Sequence, residues 1–144
     1  MLSLFRNEVD WPQDVRLLSA AARIASAVVR IPRQFYELQT VSEYTLLKKT
    51  GYFNSPAVLT EAVIAEALND HPEFIEDWQG YSEDKRCGGW CWGEHPRGGF
   101  FIGYLSEKTG WETRKLKRYP DARSACAAFI RREVEGMKGM GGRS

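Results

Sequence analysis

The apolar positions of this chain fall into two regimes, helical spacing before about residue 85 and strand-like aromatic runs after it. Val15, Leu18, Ala22, Ala25 and Val29 repeat at three- and four-residue intervals, and Leu17, Ile24, Val28 and Ile31 widen the same stripe. Arg16, Arg23 and Arg30 recur every seven residues on another face. Asp10 followed by Trp11-Pro12-Gln13 predicts the start of this first helix, with Asp as cap and Pro in the first turn. Pro32 predicts its end. A short helical piece is expected over 33–39. Ser42 predicts a cap for Glu43–Lys49, and Gly51 a left-handed stop. Ser55-Pro56 opens a further helix carrying Leu59, Val63, Ile64, Ala67 and Leu68, which stops near Asn69 because His71 precedes a proline. The next helix starts at Pro72, with Phe74, Ile75, Trp78 and Tyr81 on its inner face.

The period then changes. Trp90-Cys91-Trp92, Phe100–Leu105 and Trp111–Tyr119 are aromatic-rich runs bounded by glycine and read as three strands. The connections between them are short enough for antiparallel neighbours. Pro120-Asp121 opens a closing helix with Ala122, Cys126, Phe129 and Val134 inward. The expected fold class is α+β: N-terminal helices, a three-stranded antiparallel meander, and a C-terminal helix packed on it. Residues 1–135 form one expected domain, and 136–144 a flexible glycine-rich tail.

Composition supports a single folded unit. A chain of 144 residues with 43% hydrophobic and 27% charged residues buries enough surface to hold a core without disulfides or metal. No apolar run reaches the roughly 18 residues of a membrane span, and the N-terminus carries no signal-peptide pattern. Three cysteines, Cys87, Cys91 and Cys126, fit reduced thiols, so a cytoplasmic location is expected.

The net charge of +1 conceals a segregation. Residues 1–55 carry a net +2, 56–84 a net −8 with no Lys or Arg at all, and 85–144 a net +7. Within the acidic stretch, Glu73, Glu76 and Asp77 share one helical face, a spacing at which like charges repel by a few tenths of a kcal/mol per pair. Glu83 and Asp84 extend it. Such a face suits a basic partner. The competing reading pairs these carboxylates with a helix N-terminus or with Arg114, Lys115, Lys117 and Arg118.

Catalytic and metal patterns are missing from the sequence. Cys87, Cys91 and His95 are spaced four and four, but Cys91 sits in a strand, where four residues span about 13 Å, too far for two ligands of one tetrahedral ion. The two histidines, His71 and His95, stand in no recognised catalytic spacing. No enzyme activity, cofactor or metal is expected. An alternative function rests on the basic residues beside Trp90, Trp92, Phe100, Phe101 and Tyr104: a sheet that stacks single-stranded nucleic acid.

The stretches ALNDHPEFIEDWQGYSEDKRCGGWCW (67–92), GGFFIGYL (98–105) and SACAAFIRREVE (124–135) together resemble small bacterial immunity proteins of polymorphic-toxin and contact-dependent growth-inhibition systems. The shared layout is an acidic helix, a Y-S-E-D-K-R turn, Trp-bearing hairpin strands and a closing helix, over about residues 44–135. The resemblance implies a non-catalytic inhibitor that binds the C-terminal toxin domain of its own delivery system, often a nuclease. On that reading Glu73, Glu76, Asp77, Glu83 and Asp84 form the partner-facing patch, and the partner is basic.

Overall fold

A computed structural model describes residues 11–84, 88–106, 108–112 and 115–141. The Asp10 cap, the turn residues Lys85, Arg86 and Cys87, Arg114 and residues 142–144 lie outside the described residues. The chain is α+β. Among the described residues six helices, α1 (Trp11–Val28), α2 (Ile31–Leu38), α3 (Glu43–Lys49), α4 (Glu61–Asp70), α5 (Glu73–Glu83) and α6 (Ala122–Gly141), accompany an antiparallel sheet. Its strands are β1 (Gly89–Glu94), β2 (Phe100–Ser106), β3 (Gly110–Trp111) and β4 (Lys117–Tyr119).

Local chemistry sets most of the boundaries. Ser42 caps α3 by accepting the Thr45 N–H at 3.1 Å, and Gly51 follows it at φ 88°. Pro32 does not merely end α1; it occupies the first turn of α2, where its missing N–H costs nothing. Ser55-Pro56 opens only a 3₁₀ turn, Pro56–Val58. The true start of α4 is Thr60, whose side chain accepts the Val63 N–H at 3.2 Å. The residues before Thr60 carry the same turn chemistry, which is why the earlier start looked equally good in sequence.

The expected third strand is two short ones. β3 pairs with the end of β2 (Leu105 with Trp111) and β4 with its start (Phe100 with Tyr119, Ile102 with Lys117). After β3, the Glu112 N–H still donates to the Tyr104 carbonyl at 3.0 Å. β1 pairs with β2 in full register, Trp92 opposite Ile102 and Trp90 opposite Tyr104 on the inner face.

Helix α6 is the centre of the core. It packs on α4, α5, β1 and β2 at once, so all six residues from Ala125 to Ile130 are buried rather than one stripe. The small, uncharged run Ala125-Cys126-Ala127-Ala128 is what allows close approach on every side. α6 runs on through Gly136 to Gly141 and buries Met137. Trp78, fully buried, ties the layers together. Its Nε1–H donates to the Val29 carbonyl at 2.9 Å, and its own carbonyl accepts the Trp92 Nε1–H at 3.3 Å. Phe129 meets both Trp78 and Tyr81 edge-on.

Candidate functional site

Helix α5 has two faces of opposite character. Phe74, Trp78 and Ser82 are buried against α6 and β1. At 3.6 residues per turn, Glu73, Glu76, Asp77, Glu83 and Asp84 all fall within an arc of roughly 120° on the other side. The structure therefore places all five sequence-chosen carboxylates on one face. Glu73, Glu76, Glu83 and Asp84 are exposed and Asp77 is half-buried.

Their partners are not the expected ones. Among the described residues, Lys115, Lys117 and Arg118 make no ion pair with this face. Lys115 pairs with Glu112 (3.1 Å) and lies over the Tyr104 ring (4.2 Å); Lys117 lies over Tyr119 (5.3 Å); Arg118 donates to the Gly98 carbonyl (2.6 Å). The reason is the strand order: α5 packs on β1, whereas β4 pairs with β2 on the edge away from β1.

Helix α2 supplies the real partners. The Arg33 Nε lies 2.9 Å from Asp77 Oδ2 as an ion pair, and the directional hydrogen bond is a longer one, Nη2 to Oδ1 at 3.4 Å. Because Arg33 is 45% exposed, this pair contributes only about 0–1 kcal/mol. Arg33 also covers the Phe74 ring at 4.9 Å, so part of its role is packing. The Tyr36 hydroxyl donates to Asp84 Oδ2 at 2.6 Å, and that bond pushes the phenol up to about 12. Glu73 faces His71 at 3.4 Å. Among the described residues Glu76 and Glu83 have no ion-pair or hydrogen-bond partner.

Two features of this face escaped the sequence. Tyr36, about half exposed, and Arg33 stand on α2, which packs beside α5, and border the carboxylates. Nothing in a short helix of mixed polarity marks them in advance. Gly80, in the middle of the carboxylate arc, is the second. A Cβ built there meets nothing within 4 Å, so no contact inside the molecule requires a glycine. A helix-interior glycine nevertheless costs about 0.5–1 kcal/mol relative to alanine.

The helix is also locked to the sheet. Ser82 Oγ accepts the Trp92 N–H at 3.0 Å and lies 3.4 Å from the Trp92 carbonyl, to which it donates. This satisfies the backbone of β1 on the side away from β2 and covers what would be a free edge.

Elsewhere the clusters are structural. The Tyr81 hydroxyl donates to Glu43 Oε2 at 2.6 Å; burial first, then the neighbouring Glu133 carboxylate, raises the Tyr81 pKa. Arg131 bridges Glu61 (3.2 Å) and Glu135 (3.0 Å), joining α4 to α6. Cys126 is buried and its thiol pKa is raised by desolvation, whereas Cys91 is only half-buried because its strand position faces outward. Among the described residues no group of three or more His, Cys, Asp or Glu is placed to hold a metal ion, and no helix is long and apolar enough to cross a membrane.

No protein-family model, curated protein or solved structure matches this chain.

Proposed function

We propose that this protein is a non-catalytic inhibitor that binds a basic protein partner through the outer face of α5, in the manner of an immunity protein neutralising a toxin domain. The observation that carries this reading is the carboxylate arc itself. Two of its members are pinned by α2, and Glu76 and Glu83 have no partner among the described residues and stand exposed with a bare glycine between them. Pinned carboxylates cost a partner little ordering entropy, and unpaired ones supply attraction that steers encounter. Gly80 lets a partner's backbone approach the helix axis closely, which gives the unexplained glycine a purpose. A nuclease domain that must attract phosphate would present the complementary basic surface.

The single-stranded nucleic-acid alternative is weaker on this geometry. The outward aromatics of the sheet, Phe101 and Trp111, are flanked by Glu94 and Glu112, which repel a phosphate backbone.

The test is protection in vivo and kinetics in vitro. Co-expression with the toxic C-terminal domain of a large secreted protein encoded next to this gene should restore growth. The double variant Glu76→Lys/Glu83→Lys should fold, associate about tenfold more slowly at low salt, and lose its salt dependence. Gly80→Ala should raise Tm yet weaken the complex. Full-speed association by both folded variants would refute the assignment of this face.

A further inference from the structure

The outer face of the sheet carries a second, independent site. Gly103 has no side chain there, and a Cβ built on it would lie 3.0 Å from Cζ3 and 3.3 Å from Cε3 of Trp111 and 3.4 Å from Leu116 Cδ1. The indole and the leucine therefore rest on the strand where a larger residue would lift them off. Phe101 meets the indole edge-on (5.8 Å, 79°), and His95 meets Phe101 in the same way (6.2 Å, 80°). The indole is thus held on one face and one edge, yet Trp111 remains 52% and Leu116 45% exposed. With Pro96 these side chains line a trough of about 440 Å³, a volume within the usual range for ligand sites.

Among the described residues, the lining of the trough carries two carboxylates and no Lys or Arg. Glu94 and Glu112 line it together with His95. Among the described residues Glu94 has no charged partner, and Glu112 shares one oxygen with Lys115. His95 Nδ1 accepts the Arg97 N–H at 3.0 Å. Of the described cations close by in sequence or on the sheet, Lys115 lies over Tyr104 and Arg118 donates to the Gly98 carbonyl. An electron-rich ring surface flanked by carboxylates attracts a cation with an apolar stem and repels an anion.

We propose that this trough binds an arginine or lysine side chain on an extended segment of a basic protein partner, the cation facing Trp111 between Glu94 and Glu112. The site is separate from the α5 face and stands or falls without it.

The test uses acetyl-Leu-Arg-Leu-amide as the probe and the neutral citrulline analogue as its control. The indole N–H signals of the five tryptophans are followed by two-dimensional NMR, with Trp111 assigned through Trp111→Phe. The arginine peptide should shift the Trp111 signal saturably and leave the other four in place. Glu94→Gln/Glu112→Gln, which keeps the trough's shape, should weaken binding about fivefold, and Glu76→Lys/Glu83→Lys should not change it. Equal binding of the citrulline peptide, no Trp111 shift, or a shift that depends on protein concentration alone (a second copy in the trough) would each overturn the proposal.

Discussion

Ser82 joins the acidic helix to the sheet through one side chain, and Ser82→Ala measures that junction. The serine is 5% exposed and its hydroxyl serves both backbone groups of Trp92 that point away from β2. Alanine removes the acceptor for the Trp92 N–H at 3.0 Å and leaves that donor buried without a partner. An orphaned buried N–H costs about 1–3 kcal/mol. The carbonyl contact at 3.4 Å is long and adds less. The lost oxygen leaves too small a gap for water. The total is about 2 kcal/mol, a sizeable part of the roughly 5–15 kcal/mol that holds a domain together. With a urea slope of about 2 kcal/mol/M, the midpoint should fall by about 1 M. Tryptophan fluorescence reports the transition directly, since Trp78 and Trp92 are both buried beside the lesion. Hydrogen exchange at the Trp92 amide should accelerate more than at other β1 positions. Ser82→Cys, similar in size but a poor hydrogen-bonding group, should fall nearly as far as alanine. A midpoint shift under about 0.25 M, within the range of an ordinary surface change, together with unchanged Trp92 exchange would refute this account.

Three further outcomes are expected. Asp121 caps α6 by accepting the Ser124 N–H at 2.8 Å, and that bond lowers its pKa, so Asp121→Ala should cost about 1 kcal/mol in thermal or urea unfolding. Because the folded pKa lies below the unfolded one, this contribution is complete above the unfolded value and is lost as pH falls, so the variant and the parent should converge in acid. Tyr36 has the opposite sign: its pKa rises from 10.0 to about 12, the folded state keeps a proton that the unfolded chain gives up, and stability should decline across that alkaline window. Tyr36→Phe should flatten that decline in a pH series of urea melts. Phe129→Ala, at a fully buried ring packed on Trp78 and Tyr81, should lose about 3–5 kcal/mol by the same assay, whereas Phe129→Leu should lose less.

The helices were legible because their signals are local. The Ser42 cap, the Gly51 stop and the apolar side of α5 all depend on residues within one or two turns, and each stands where its spacing placed it. The Phe100–Leu105 strand was legible for the same reason, as an aromatic run between glycines. The arc of Glu73, Glu76, Asp77, Glu83 and Asp84 was legible too, since helical periodicity alone puts them on one side.

What the linear pattern left open was every question of who meets whom. The split of the third strand depends on β2, which holds residues 110–111 and 117–119 at opposite ends. The continuation of α6 through Gly136 and Gly139 depends on packing that buries Met137, a tertiary contact that outweighs the low helix propensity of glycine. The same is true of charge. Basic residues 33, 115, 117 and 118 are equally plausible partners for an acidic helix in sequence, and the strand order and the docking of α2 chose Arg33 and Tyr36. The chain alone determined which residues carry charge and on which side of their own helix or strand they stand. Only the tertiary structure decided which carboxylates are pinned, which remain unpaired, and that Trp111 lies across Gly103 on an uncovered sheet face, because those outcomes depend on contacts between segments far apart in sequence.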